Sequence, residues 1–172
     1  MIWVGTKRCQ GLSDEMLSIS LKKTIDISVF FGLKLYIRAH QTITEYDIQS
    51  LYGDIISVDY IFDNKKPLDE VAQYEGIFSL TTSTADLSIF SYCNPVVCLG
   101  LDKVVESRNG IPYKEIIGDL CTHNTQKAID FLNYLDNNPV SFSAYKNKIL
   151  NYLDSMCYLN KNFEKEILLY FR

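Results

Sequence analysis

Two short polar segments of this sequence combine residue types that can bind an anion and take part in proton transfer. The first, Arg38-Ala39-His40-Gln41, directly follows the run Leu33–Ile37, whose alternating polarity is typical of a strand. An arginine at that point can pair with a phosphate bidentately, and a histidine can donate a hydrogen bond or a proton to it. A simple turn-capping role for His40 fits its position equally well.

The second segment, Thr81-Thr82-Ser83-Thr84, lies between the apolar runs Gly76–Leu80 and Ala85–Cys93. If the first run is a strand and the second a helix, these hydroxyls stand at a helix N-terminus, where free backbone N–H groups favour phosphate. Ordinary N-capping by Thr82 or Ser83 would need only one hydroxyl. Four in a row therefore favour a ligand-binding role.

The elements around these segments alternate between strand and helix patterns. The predicted strands are Ile2–Val4, Leu33–Arg38, Asp54–Val58, Gly76–Leu80 and Pro95–Gly100. The predicted helices are Met16–Phe31 (capped by Ser13 or Asp14 and ended by Gly32), a short helix from Thr42 or Thr44 to Leu51, Leu68–Tyr74 and Ala85–Cys93. This alternation predicts an α/β fold, a Rossmann-like parallel sheet flanked by helices. Ligands of such sheets bind beyond the carboxyl ends of the strands, where both polar segments lie.

The character of the chain changes after residue 122. Residues 1–122 are predicted to form the Rossmann-like nucleotide-binding domain, and residues 123–172 to be helical. The helical segments are Asn124–Asp136, Ser141–Met156 and Asn160–Phe171. Their apolar faces are expected to pack on the first domain or on a partner domain.

Composition excludes several classes of protein. The net charge of −4, from 17 basic and 21 acidic residues, argues against a nucleic-acid-binding protein. The five cysteines have no zinc-like spacing with the two histidines, so no metal site is expected. The cysteines are expected to be reduced thiols in the core. No apolar run approaches the roughly 20 residues of a membrane span, and no signal peptide is evident, so a cytoplasmic protein is expected. Neither a GxGxxG, a P-loop nor a GxSxG motif is present.

The order of these motifs resembles a known family. A strand, Arg38-Ala39-His40-Gln41, a helix, Thr81–Thr84, an apolar helix and Asn94–Gly100 follow one another as in the C-terminal domain of bacterial capsule or lipooligosaccharide glycosyltransferases of the GT-B fold, including sialyl- and polysialyltransferases. In that family a His-Pro motif and a Ser/Thr motif both contact the donor's nucleotide phosphate, typically that of CMP-sialic acid. Ile2–Thr6 and Gly32–His40 are similar to the start of that domain. The resemblance covers about residues 1–120, with Gln41 standing where the family has proline.

The resemblance implies roles for particular residues. His40 would bind the donor phosphate and assist its departure as a general acid, and would be the catalytic residue. Ser83 and Thr84, with Thr82 behind them, would hold phosphate or the nucleotide base, and Glu70 would lie near the ribose. The ligand would then be a nucleotide sugar, with no cofactor. From its charge and position, Arg38 is a further candidate for phosphate binding.

A GT-B active site lies in the cleft between two domains, so a donor-binding half is expected to be inactive alone. Its expected partner is a missing N-terminal domain or a second copy of the chain. Two alternatives have different consequences. A non-catalytic α/β binding or regulatory domain would use the hydroxyl run only to cap a helix. A flavodoxin-like enzyme would use it to hold a flavin phosphate.

Overall fold

The protein is an α/β structure built on one parallel sheet, which confirms the predicted fold class. The computed structural model describes residues 1–5, 12–67, 70–71, 76–81, 92–101 and 113–170, with side chains described as far as residue 155. The strands are β1 (Ile2–Val4), β2 (Leu35–Arg38), β3 (Tyr60–Phe62), β4 (Phe78–Leu80), β5 (Val96–Leu99) and β6 (Cys121–Thr122). They pair in the order β3-β2-β1-β4-β5-β6, and every pairing is parallel.

The sheet is buried on both faces, as parallel sheets are. Because side chains alternate along a strand, Trp3 of β1 joins Ile37 in one hydrophobic cluster, while its neighbours Ile2 and Val4 join Phe78 in the other. The sequences of strands that are buried on both faces are nearly continuous apolar runs. This is why β1, β4 and β5 could be recognised from the sequence.

The first two helices are α1 (Asp14–Phe30) and α2 (Glu45–Tyr52). The Ser13 side chain accepts a hydrogen bond from the Met16 amide at the start of α1. Gly32 follows the end of α1 with a φ of +61°, a left-handed conformation that glycine adopts without a steric penalty. Thr44 caps α2, and its side chain and that of Asp47 form a capping box.

The third strand does not lie where the sequence pattern placed it. Asp54–Val58 was the predicted strand, whereas β3 is Tyr60–Phe62. The amides of Ile55 and Ile56 both donate to the carbonyl of Tyr52, so this apolar stretch closes α2 as a turn. The apolar side chains of this stretch are only partly buried, and its hydrogen bonds are local, so the predicted strand is wrong.

The C-terminal part is helical, with one short strand that the sequence did not predict. It contains α3 (Tyr113–Ile117), a 3₁₀ turn (Gly118–Leu120), β6, α4 (Thr125–Asn137) and α5 (Pro139–Tyr170). The predicted break at Leu159–Asn160 is wrong, since α5 is one helix of 32 residues. Neither glycine nor proline stands at that point, and an asparagine inside a helix lowers helix stability only slightly, so the helix continues.

The helices α4 and α5 pack on the same core as the sheet. Leu132 and Leu135 of α4 and Tyr145 and Ile149 of α5 are buried in the cluster that contains Val96 and Leu99. Cys98 and Cys121 are also buried in it, in agreement with the expectation of core cysteines. Within the part of the chain that the structure describes, no helix is long and apolar enough to cross a bilayer.

Candidate functional site

The strand order creates a crevice at the carboxyl edge of the sheet. The chain moves from β1 towards β3 on one side and continues from β4 towards β6 on the other. Connections therefore diverge above β1 and β4, and this switch point is where open α/β sheets bind ligands. Gly5 directly follows β1 and Thr81 directly follows β4, so these two residues form the floor of the crevice.

Thr81, the first residue of the hydroxyl run, has a structural role. It is buried, and its hydroxyl donates to the carbonyl oxygen of Val4 at 2.9 Å. Its amide donates to the same oxygen. Thr81 thus connects the carboxyl end of β4 to that of β1 through two hydrogen bonds. Thr82, Ser83 and Thr84, the predicted phosphate-binding residues, lie outside the described residues.

Gly5 has no room for a side chain. A Cβ at this position would lie 2.1 Å from Cζ3 of Trp3, two residues back on the same face of the sheet. The amide of Gly5 donates to the carbonyl of Arg38 at 2.8 Å, which extends the pairing with β2 one residue past the end of β1. A bare backbone therefore reaches the crevice at this point, beside the first predicted binding segment.

Arg38 ends β2 and is half-buried. Its guanidinium Nη1 donates to the carbonyl oxygen of Asp63 at 3.3 Å, just past the end of β3. Burial lowers the pKa of Arg38, and the nearby Asp63 carboxylate acts in the opposite direction. The structure therefore places a partly desolvated cation two residues before His40, and a cation of this kind interacts with an anion more strongly than a fully hydrated one does.

His40 is exposed in the loop that joins β2 to α2. Its Nδ1 lies 2.9 Å from the Thr42 hydroxyl and accepts from the Thr42 amide at 3.3 Å. Because a backbone amide can only donate, Nδ1 is the acceptor, and the proton of the neutral ring is on Nε2. The ring therefore offers an N–H donor at Nε2, the group that a phosphate oxygen would accept.

Asn64 holds this loop in place, and the sequence analysis did not identify it. Its Oδ1 accepts from the Ala39 amide at 2.9 Å. Its Nδ2 donates to the carbonyl oxygens of His40 at 3.4 Å and Ile43 at 3.2 Å. The signal that could have identified Asn64 is an amide side chain directly after a strand end, and this signal was hidden because β3 was placed too early.

Glu70, the predicted ribose contact, is exposed in a helical stretch of which Glu70 and Val71 are described. Among the described residues, no hydrogen bond or ion pair joins it to Arg38 or His40. Of the predicted site residues that the structure describes, Arg38 and His40 thus lie at the same strand end.

A second polar group lies further along the same edge, where β5 and β6 end. The Lys23 ammonium of α1 donates to the carbonyl oxygen of His123. Gly100 follows β5 with a φ of +78°, and a Cβ there would lie 3.8 Å from Nδ1 of His123. The order of strands puts β6 four positions from β2, about 19 Å away at about 4.8 Å per strand. This group is therefore separate from the one around His40.

An apolar cleft opens at the opposite edge of the sheet. Its volume is about 420 Å³, and Phe31, Leu33, Ile77, Pro95 and Phe142 are among its lining residues. These residues precede β2, β4 and β5 or lie on helices, so the cleft faces away from Arg38 and His40. It does not contribute to the site at the carboxyl edge.

Comparison with known proteins supports the fold and leaves the family open. No protein-family model matches the chain, and no curated protein matches it in sequence. Among solved structures, the fold is similar to that of UDP-GlcNAc 2-epimerase from Neisseria meningitidis, determined with bound UDP-GlcNAc. The TM-score is 0.52 at 14% sequence identity, over 91% of this chain and 44% of that one. The chain thus spans less than half the length of the epimerase it matches, and its fold is that of one half of a GT-B-like protein.

Proposed function

We propose that this domain binds the nucleotide phosphate of a nucleotide sugar in the crevice above β1 and β4. The observation that carries the proposal is the position of the Arg38–His40 segment at the end of β2, next to β1 in a sheet whose switch point is at β1 and β4. In this arrangement a cation and an N–H donor border the crevice where such sheets bind their ligands.

The two predicted binding segments would flank the nucleotide phosphate. The strands β2 and β4 lie on either side of β1, about 10 Å apart. Arg38 and His40 would contact the phosphate from the β2 side. Thr82, Ser83 and Thr84 follow β4 and would contact it from the other side, and Glu70 would approach the ribose. His40 would donate a hydrogen bond from Nε2 to the phosphate. To protonate the leaving phosphate in a transferase, the ring would first have to become an imidazolium, in which Nδ1 no longer accepts from the Thr42 amide.

The nucleotide is proposed from two sources. The similar structure holds UDP-GlcNAc, which favours a uridine nucleotide. The resemblance to capsule glycosyltransferases favours CMP-sialic acid as the alternative. Glycosyl transfer rests on that resemblance, and epimerisation is suggested only by the structural similarity. For either reaction we propose that turnover requires a second domain to close the cleft, because one half cannot orient the second reactant.

The test is calorimetric titration with UDP, UDP-GlcNAc, CMP and GDP of the wild type, His40→Ala and the matched control His123→Ala. His123 is also an exposed histidine at a strand end, about 19 Å away by strand count. We expect one nucleotide to bind, His40→Ala to weaken it about ten- to hundredfold, and His123→Ala to have no effect. Absence of binding by all four, or equal binding by the two variants, would contradict the proposal. Binding of FMN in their place would support the flavodoxin-like alternative.

A further inference from the structure

We infer that Asn64 is a positioning residue that orients His40 for the phosphate, an inference that rests on the proposed function. Among the described residues, the side chain of Asn64 hydrogen-bonds to backbone atoms of the loop. It would act on a ligand through the histidine ring.

The amide of Asn64 binds the loop at both ends. Ala39 starts the loop, and Ile43 is the last residue before the cap of α2. The amide nitrogen donates to the carbonyls of His40 and Ile43, which accounts for both of its hydrogens, while the oxygen accepts from Ala39. Alanine, serine or a carboxylate cannot make all three hydrogen bonds.

These hydrogen bonds also determine the geometry of the histidine ring. With its carbonyl held by Asn64, His40 accepts from the Ile43 amide at 2.8 Å in a tight turn. The turn brings the amide and hydroxyl of Thr42 to Nδ1. The donor at Nε2 is therefore fixed by a chain of contacts that begins at Asn64. An unanchored loop would leave the ring to sample several rotamers, and the ligand would have to order it.

The position of Asn64 follows from the pairing of β2 and β3. The register Ile37↔Phe62 continues in the bond from the Asp63 amide to the Ile37 carbonyl. Asp63 then accepts from Arg38, and Asn64 reaches the loop. The end of β3 thus holds both predicted phosphate contacts of β2, Arg38 through a carbonyl and His40 through an amide side chain.

The experiment is a double-mutant cycle in nucleotide affinity between Asn64→Ala and His40→Ala, with UDP and UDP-GlcNAc as the ligands. We expect Asn64→Ala to weaken binding about tenfold in the wild type and less than about twofold when His40 is already alanine. A purely structural role would weaken binding equally in both backgrounds, and that result would overturn the inference. Asn137→Ala is the control, since that side chain donates to the Asn133 carbonyl on α4.

A second readout is independent of any ligand. The chain has two histidines, so its imidazole ¹⁵N spectrum contains His40 and an internal reference, His123. We expect Asn64→Ala to shift or broaden only the His40 signals and to remove protection of the Ile43 amide from hydrogen exchange. Asn64→Asp, which keeps the acceptor for Ala39, serves if the alanine variant does not fold. Unchanged His40 signals in a folded variant would overturn the inference. Altered signals in a protein that binds no nucleotide would instead contradict the proposed function alone.

Discussion

The hydroxyl of Tyr145 on α5 accepts a hydrogen bond from the amide of Val96, the first residue of β5, at 3.0 Å. The side chain is buried, and burial raises the pKa of Tyr145, so the hydroxyl stays protonated. It also lies 3.5 Å from the Asn94 carbonyl, to which it donates. A side chain of α5 thus completes the hydrogen bonding at the start of β5.

We predict that Tyr145→Phe lowers the free energy of unfolding by about 1–3 kcal/mol, because it leaves the buried Val96 amide without a partner. Urea unfolding measures this effect. Tyr134→Phe is the matched control, since the Tyr134 hydroxyl accepts from Ser141 at 2.6 Å on a side chain that is 51% exposed. Its expected cost is below about 0.5 kcal/mol. Equal losses in the two variants would contradict a structural role for the α5–β5 contact.

A second prediction concerns the crevice floor. Gly5→Ala is expected to cost about 2–3 kcal/mol, because its Cβ would overlap the ring of Trp3, which is 1% exposed and cannot move aside. Chemical denaturation with tryptophan fluorescence is suitable, since Trp3 is the single tryptophan.

Gly32→Ala separates this clash from backbone strain. Gly32 has a φ of +61° and nothing within 4 Å of the added Cβ, so its cost is expected to be about 1 kcal/mol. Replacing Trp3 by leucine in the Gly5→Ala background should reduce the additional cost of the alanine. If Gly5→Ala lowers the free energy of unfolding no more than Gly32→Ala does, the Trp3 ring moves aside to accommodate the added Cβ.

The elements that could be predicted from the sequence are those set by local chemistry. Ser13 and Gly32 mark the ends of α1 because a cap hydroxyl and a left-handed glycine satisfy groups within a few residues. Thr44 was one of two predicted caps of α2 for the same reason. The buried strands β1, β4 and β5 could be predicted because a parallel sheet is covered on both faces, so that its strands are mostly apolar.

The elements that were missed depend on distant partners. β3 begins at Tyr60 because it pairs with β2, whereas the amides of Ile55 and Ile56 in the stretch before it donate to the Tyr52 carbonyl of α2. β6 is two residues long and exists through its pairing with β5. Asn64 lies next to His40 only through the register of β2 and β3. The candidate site could thus be predicted as a strand end with Arg38 and His40, and its supporting residue could not.

A third prediction concerns a buried polar contact between α1 and the sheet. The Thr24 hydroxyl donates to the Ser20 carbonyl, so in its 2.7 Å hydrogen bond with Ser79 it accepts from the Ser79 hydroxyl. Both side chains are buried. Thr24→Val should cost about 1–2 kcal/mol in urea unfolding, because it leaves the Ser79 hydroxyl buried without this partner.

Thr24→Val combined with Ser79→Ala tests the reason for that cost. Replacing both hydroxyls by apolar groups removes the unsatisfied atom, so the double variant should be less destabilised than the sum of the two single variants. Strict additivity would mean that the two hydroxyls do not interact.

The last prediction is a pH dependence at the cap of α2, directly after the His40 loop. The Thr44 amide and hydroxyl both donate to the Asp47 carboxylate, and the amide, followed by the hydroxyl, lowers the pKa of Asp47 below its ordinary value of 3.8. A carboxyl with a depressed folded pKa stabilises the fold above the unfolded value, and that contribution is lost as the pH falls through the folded value. Urea midpoints measured from pH 6 to pH 3 should therefore decline less in Asp47→Asn than in the wild type. The control is Asp154→Asn, at an exposed position on α5, whose urea midpoints should follow the wild-type curve. If the midpoints of Asp47→Asn decline as much as those of the wild type, the acid sensitivity comes from other carboxyls.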